Sequence, residues 1–253
     1  MKSGLVSVTF RGKNTDEIIA LCKKNAVDVI EWGGDVHVPS GDYENAEKVG
    51  RQTRENGIEV FSYGSYYRLG EQKEWKEEFK KVLKTAACLQ CNYIRIWAGT
   101  VSSRNAENAY FQRLEEELKQ VCKMAAEEKM NIALEYHRNT LTEDWQSALR
   151  LIKETAEPNL FLYWQPNPDI SHEERMNELC HLKEMICNVH TFFWEKANIR
   201  KPLEDGVNYW KDYTHILKEK DIPYMLEFVK DDEEKQFEED MRVLQHQIIR
   251  RIQ

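Results

Sequence analysis

The chain has 253 residues and a formal net charge of −8 at pH 7, from 44 acidic and 36 basic side chains. Because these charges are spread along the whole chain, the sequence offers no strongly basic face to a phosphate backbone, and we expect no nucleic-acid partner. No apolar run approaches the roughly 20 residues needed to cross a bilayer. We therefore expect no membrane partner and a cytoplasmic location.

Six cysteines occur in the sequence. A chain of this length can bury an adequate core without disulfides, so we expect reduced thiols. Cys88 and Cys91 form a single CxxC, but the chain has no second CxxC and no histidine pair at zinc spacing. We therefore assign this pair a structural role.

Short apolar runs alternate with longer amphipathic stretches from one end of the chain to the other. The runs predict eight β-strands, marked along the chain by Leu5, Asp28, Ile58, Tyr93, Asn131, Leu160, Ile186 and Pro223. Runs such as NIALEYH and NLFLYW are apolar on both alternating faces. This pattern is typical of parallel strands covered by helices rather than of a half-exposed antiparallel sheet.

The stretches between the runs carry helix signals. Ser171 and Glu174 form a capping box, Thr142 is predicted as an N-cap, and Gly57 follows the charged stretch 43–56 as a C-terminal cap would. Eight successive strand–helix units predict a single-domain (β/α)₈ TIM barrel over residues 1–253. The main alternative is an open doubly wound sheet, but the first turn, TFRGKNTDE, contains neither nucleotide-binding glycine motif.

Polar residues interrupt four consecutive strands at their carboxyl ends. These residues are Glu135, Gln165, His190 and Glu227. Because side chains alternate along a strand, all four can point toward the barrel axis and converge. Two buried carboxylates imply a bound cation, a base or a shared proton, and this set of ligand atoms suits Mn²⁺, Mg²⁺ or Co²⁺.

Arg95 lies inside the run YIRIW, where an unpaired guanidinium would be costly. It either pairs with an inward acid such as Glu135 or binds an anionic group of the substrate. Ion pairs of Glu135 and Glu227 with Arg95 or Lys230 are the alternative to a metal site. Four polar strand ends in register favour the metal site over these pairs.

The stretches LEYHRNTLTEDWQSALRLI, YWQPNP, VHTFFW and LEFVKDD resemble the sugar phosphate isomerase/epimerase superfamily. These are the xylose isomerase-like barrels, which also include the endonuclease IV branch. The resemblance extends over the whole chain. The endonuclease IV branch needs a much larger set of histidines and acids for three metals, whereas this chain has seven histidines, so we do not expect DNA repair.

The resemblance implies that Glu135, Gln165, His190 and Glu227 bind one divalent metal, Mn²⁺ first and Mg²⁺, Co²⁺ or Zn²⁺ otherwise. It also implies that Glu135 and Glu227 exchange protons with a substrate carbon while the metal stabilises an enediolate. Gln165 stands where the family has aspartate. Because an amide oxygen contributes no negative charge, metal affinity should fall.

The resemblance extends to other pocket residues. His137 matches a family histidine near the metal and substrate, and Lys196 lies where some epimerases carry a cationic substrate contact. Pro168 occupies the place of the family's second substrate-binding histidine. We therefore do not predict that this chain acts on the substrate of ketose 3-epimerases.

Aromatic side chains crowd the predicted strand ends, and the apolar faces of sugar rings pack against such side chains. Trp32, Trp97 and Trp194 are predicted to contact the substrate, against the alternative that each packs in the barrel. His37, in the Gly-rich stretch EWGGDVHVP, either contacts the substrate or is an exposed loop residue with no role.

The sequence thus predicts a divalent-metal-dependent isomerase or epimerase that acts on a small sugar, sugar phosphate or keto-sugar. One alternative is a lyase or dehydratase, which would expel a β-hydroxyl from the same enediolate. The other is a non-catalytic sugar-binding barrel with a degraded metal site. The expected partner is a small carbohydrate, and the resemblance adds the expectation of a homodimer.

Overall fold

The computed structural model describes residues 1–249, and the last four positions of the predicted domain, 250–253, lie outside the described residues. Within this range eight parallel strands close into a barrel, which confirms the predicted (β/α)₈ fold. The barrel strands are β1 (Lys2–Val6), β2 (Val29–Gly33), β3 (Glu59–Arg68), β4 (Tyr93–Trp97), β5 (Asn131–Glu135), β6 (Leu160–Trp164), β7 (Ile186–Thr191) and β10 (Pro223–Leu226). The short strands β8 (Phe193–Glu195) and β9 (Ile199–Lys201) form a separate antiparallel hairpin after β7.

Helices cover the outside of the barrel, and the described residues contain one between each pair of successive barrel strands and one after the last. They are α1 (Thr15–Lys24), α2 (Tyr43–Glu55), α3 (Trp75–Leu89), α4 (Asn108–Glu127), α5 (Trp145–Thr155), α6 (His172–Leu182), α7 (Val207–Ile216) and α8 (Glu234–Val243). The core lies between the strands and the apolar faces of these helices. None of the helices in the described range is long and apolar enough to cross a membrane.

Local signals in the sequence set several helix ends. The predicted capping box is present, because Ser171 and Glu174 exchange side-chain and backbone hydrogen bonds at the start of α6. Gly57 follows α2 with a φ of +79°, a left-handed conformation that favours glycine after a helix. All six cysteines are free, and Cys91 is buried near the end of α3.

The strand order places the predicted polar residues side by side. β5, β6, β7 and β10 are consecutive in the barrel, and their carboxyl ends meet at one end of it. The backbone N–H of Glu227 donates to the carbonyl oxygen of Thr191 at 3.1 Å, one residue beyond β10. This bond fixes Glu227 beside His190 on the neighbouring strand.

Candidate active site

Three of the four predicted ligands form a compact buried cluster. Glu135, His190 and Glu227 each offer one ligand atom, and these atoms lie within 4.8 Å of one another. His190 Nδ1 lies 3.3 Å from Glu227 Oε2, yet neither ring nitrogen of this fully buried imidazole makes a hydrogen bond with a described residue. Because buried polar atoms are normally paired, the open nitrogens fit a cation-binding site.

Gln165 lies beside this cluster, at the end of β6. Its Nε2 donates to the backbone carbonyl of Tyr136 at 2.9 Å and lies 3.4 Å from Glu135 Oε1. An aspartate here could donate neither bond and would repel Glu135. The structure thus gives a physical reason for an amide at this position, while its role as a metal ligand stays a prediction.

Arg95 joins two strands inside the barrel. Its guanidinium contacts Glu135 and places Nε 2.9 Å from Glu31 Oε1, and the arginine side chain is only 2% exposed. Of the two roles considered for Arg95, the structure shows ion pairing. Glu31 is not among the predicted site residues. It is fully buried on β2 and accepts a hydrogen bond from Ser62 Oγ at 2.8 Å.

Negatively charged side chains outnumber positively charged ones around the cluster. Glu31, Glu135 and Glu227 contribute three negative charges and Arg95 one positive charge, a net of −2 when His190 is neutral. Burial alone would raise the pKa of Glu135, but the Arg95 guanidinium lowers it below its ordinary value, so Glu135 stays a carboxylate. Burial disfavours a charged His190, but the Glu227 carboxylate beside it raises the pKa of His190 above its ordinary value. A divalent cation would take the place of that proton and balance the excess of buried carboxylates.

A pocket of about 230 Å³ opens above the cluster at the carboxyl end of the barrel. Its lining includes Arg11, Tyr66, Trp97, Glu135, His137, Arg138, Gln165, Trp194, Glu227 and Phe228. The loop after β5 is tied back to the strand by Thr142, whose hydroxyl donates to the Glu135 carbonyl at 2.5 Å. Thr142 is therefore not the predicted N-cap of α5, a role that the Asp144 side chain takes.

His137 lies in this pocket with a defined orientation. Its ring stacks on Trp97, with the ring centroids 4.6 Å apart, and its Nδ1 lies 2.8 Å from the carbonyl oxygen of Arg138. Because a carbonyl oxygen only accepts, Nδ1 carries the hydrogen and Nε2 of the neutral ring keeps a lone pair. His137, Trp97 and Trp194 thus line the pocket, and their contact with a substrate stays a prediction.

Trp32 and His37 are buried outside this pocket, contrary to the prediction that they contact the substrate. Trp32 is fully buried against α2, where its Nε1 donates to Thr53 Oγ1 at 3.2 Å. His37 is buried between Ser7 Oγ and the carbonyl oxygen of Lys13. Neither residue lines the pocket.

Lys196 is exposed in the turn of the β8–β9 hairpin and is also absent from the pocket lining. Two residues further on, Asn198 lines the pocket instead. Arg11 and Phe228, which are not among the predicted site residues, also line it.

Comparisons with known proteins agree with this fold. A curated relative, the 3-dehydroshikimate dehydratase of Bacillus anthracis, is 25% identical over 182 residues, which are 67% of this chain and 65% of that protein. The match thus spans slightly less than two thirds of that relative. The probable 3-DHS dehydratase AsbF from Bacillus anthracis has a TM-score of 0.84 at 20% identity, over 96% of this chain and 98% of that one.

A D-psicose 3-epimerase from Clostridium cellulolyticum H10 has a TM-score of 0.71 at 14% identity, over 96% of this chain and 97% of that one. The family model of the xylose isomerase-like TIM barrel matches residues 19–247. The chain therefore belongs to the xylose isomerase-like TIM barrel family, as its sequence motifs indicate.

Proposed function

We propose that the chain is a divalent-metal-dependent lyase that removes water from a small hydroxylated keto acid. The observation that carries this proposal is the position of His137, which lines a pocket above a buried cluster that suits a divalent cation, with Nδ1 held by a backbone carbonyl so that Nε2 is the ring atom left to act as a base. The similarity to the 3-dehydroshikimate dehydratase of Bacillus anthracis supports the same class of reaction. We take 3-dehydroshikimate as the first substrate to test.

His137 would act as the base in this reaction. Its Nε2 would accept a proton from the carbon next to the substrate carbonyl, since Nδ1 already donates to Arg138. The hydroxyl on the next carbon would then leave as a C=C bond forms. The proton and the hydroxide leave together as water, so the elimination needs no oxidant or other co-reactant.

Glu135, His190 and Glu227 would bind the cation, and Gln165 Oε1 is the fourth candidate ligand atom. Oxygen and imidazole ligands suit Mn²⁺, our first choice, as well as Mg²⁺ and Co²⁺. A bound divalent cation would stabilise negative charge that develops on the carbonyl oxygen. Arg95 would hold Glu135 in its ionised form and in place.

An isomerase or epimerase is the second candidate. Glu135 and Glu227 both line the pocket, as two proton-transfer groups of an epimerase would. The ion pair with Arg95 argues against this role for Glu135, because it lowers the carboxylate's affinity for a proton. We therefore rank the lyase first.

The test is incubation of the Mn²⁺-loaded protein in D₂O with 3-dehydroshikimate and, separately, with D-fructose, followed by mass spectrometry. We expect 3-dehydroshikimate to lose one water, and His137→Gln to slow this loss by about 10²–10⁴-fold. His181→Gln is the matched control, because His181 stacks on Trp145 outside the pocket. Deuterium in the ketose without loss of water from the keto acid would instead identify an epimerase. No change in either compound would contradict both functions for these substrates.

A further inference from the structure

We infer that the Arg11 guanidinium and the Tyr66 hydroxyl form an anion-binding pair that recognises a carboxylate group of the substrate. This inference rests on the proposed function for its substrate class and adds the residues that select it. Both side chains line the pocket, and they come from separate parts of the chain that meet there. The Arg11 Nη2 donates to the Tyr66 hydroxyl at 2.7 Å.

Arg11 is held in place before any ligand binds. Its Nε donates to Asp35 Oδ2 at 3.0 Å, and its Nη1 donates to the carbonyl oxygen of Val8 at 3.2 Å. Together with the bond to Tyr66, these contacts fix the guanidinium from three directions. The arginine side chain forms an ion pair with Asp35, yet it stays 43% exposed and lines the pocket, where a ligand can reach it. Such preorganisation lowers the entropy that binding costs.

The pair still has hydrogen-bond donors to offer. A guanidinium has five N–H groups, and the bonds of Arg11 to described residues leave one Nη1 N–H open. The Tyr66 oxygen accepts from Arg11, and its own hydrogen has no acceptor among the described residues. Burial raises the pKa of Tyr66 to about 12, so this hydrogen is retained at neutral pH. Two adjacent donors match the two oxygens of a carboxylate.

The backbone next to the pair is strained. Tyr66 and Phe228 both adopt left-handed conformations, with φ values of 59° and 49°, which side-chain-bearing residues seldom take. Such strain persists where the surrounding structure enforces it, and it concentrates at ligand sites. The Arg11 guanidinium lies 5.4 Å from the centroid of the Phe228 ring. Because Glu135 and Glu227 line the same pocket, a carboxylate on Arg11 would share that pocket with the buried cluster.

The other two arginines of the pocket are less suited to this role. Arg95 is buried, and its guanidinium already serves Glu31 and Glu135. Arg138 is 53% exposed, and its ion pair with Asp169 is long, at 3.9 Å. A ligand bound there would have to order a solvated side chain, at a cost in conformational entropy. Arg11 is both fixed and open, which is why we assign the carboxylate to it.

The experiment is calorimetric titration of the Mn²⁺-loaded protein with shikimate and with its uncharged methyl ester. Shikimate lacks the carbonyl that the proposed elimination requires, so binding is measured without turnover. We expect Arg11→Lys to weaken shikimate binding by at least about tenfold, because lysine cannot reproduce the guanidinium fork. Tyr66→Phe, which keeps the ring and the backbone, should weaken it severalfold. Arg138→Lys tests the competing exposed arginine of the pocket and should weaken shikimate binding less than about twofold.

Binding of the ester should be weak and unchanged in all four proteins. Equal binding of acid and ester by the unmodified chain, no binding of either, or a loss in Arg138→Lys as large as in Arg11→Lys would each overturn the inference. The proposed function fails separately: if the chain binds shikimate through Arg11 but removes no water from 3-dehydroshikimate, only the lyase proposal is lost. If it removes water with a KM that Arg11→Lys leaves unchanged, only the carboxylate pair is lost.

Discussion

The Nε atom of Arg95 lies 2.9 Å from a carboxylate oxygen of Glu31, and both side chains are shielded from water inside the barrel. The same guanidinium contacts Glu135, so one arginine compensates two buried carboxylates. Removing a single partner from such a network leaves charge that neither water nor protein stabilises. The stability of the barrel therefore depends more on Arg95 than on the exposed ion pairs at the protein surface.

We expect Arg95→Met to lower the free energy of unfolding by about 3–5 kcal/mol, because Glu31 and Glu135 lose their common partner. The measurement is urea unfolding at pH 7. Arg150→Met is the matched control, since Arg150 forms an exposed pair with Glu154 one helical turn away and should cost less than about 1 kcal/mol. Equal losses in the two variants would contradict the role of Arg95.

Gly64 has no side chain, and the ion pair between Arg95 and Glu31 occupies the space beside it. A Cβ atom there would lie 2.6 Å from Arg95 Nη2 and 2.7 Å from Glu31 Oε1. We expect Gly64→Ala to displace the pair and to lower the free energy of unfolding by about 1–3 kcal/mol. In Gly12→Ala the added Cβ meets nothing within 4 Å, so that variant should unfold like the unmodified chain. If Gly64→Ala leaves the free energy of unfolding unchanged, the Arg95–Glu31 ion pair can shift without cost.

The barrel could be predicted because its sequence signal is local: each apolar run fits a strand covered by helices. The polar residues at the carboxyl ends of these strands could be predicted because they interrupt the apolar runs. Glu135, His190 and Glu227 were found in this way. The prediction for Trp32 fails because it does not take account of an inward-pointing Glu31. Once Glu31 points inward to Arg95, the alternation of side chains along β2 turns Trp32 outward to α2.

The contact of Arg11 with Tyr66 had no comparable signal in the sequence. It joins positions 55 residues apart, and it depends on a left-handed backbone at Tyr66. Neither residue type favours that conformation, because a Cβ atom makes it unfavourable. The contact forms because the end of β3 packs beside the turn that follows β1. The periodicity of apolar residues along a strand does not predict how two such segments pack.

Gln165 gives a prediction about metal binding. Gln165→Glu keeps the length of the side chain but loses the N–H that bonds to Tyr136, and it adds a negative charge beside Glu135. We expect a lower melting temperature without metal and a larger increase on adding Mn²⁺ than in the unmodified chain. The measurement is thermal unfolding with EDTA and with Mn²⁺.

Glu227→Gln removes a predicted metal ligand from the same cluster. It should abolish most of the increase in melting temperature on adding Mn²⁺. The exposed Glu184 lies away from the cluster, and Glu184→Gln is the control that should retain it. If Mn²⁺ stabilises the unmodified chain and Glu227→Gln equally, the ion binds somewhere else.

A further prediction concerns Glu178 on α6, which lies behind the pocket. Its Oε1 accepts a hydrogen bond from the Tyr136 hydroxyl at 2.7 Å, while its Oε2 is buried and has no hydrogen-bond partner among the described residues. Burial, reinforced by the charges of Asp144 and Glu174, raises the pKa of Glu178 to about 7. In the unfolded chain a glutamate has a pKa of about 4.3.

Between these two values the folded chain holds the proton that the unfolded chain has lost, so the free energy of unfolding falls as the pH rises from about 4.5 to above 7. Glu178→Gln keeps an acceptor for Tyr136 and removes the titration. Urea unfolding at pH 5 and pH 8 should show a loss with rising pH that is about 2 kcal/mol smaller in this variant. Asp240, whose pKa burial raises to about 6, contributes a loss of the same sign to both proteins and cancels in the comparison. An equal pH dependence in the two proteins would mean that Glu178 is ionised in the folded chain at neutral pH, with water reaching its second oxygen.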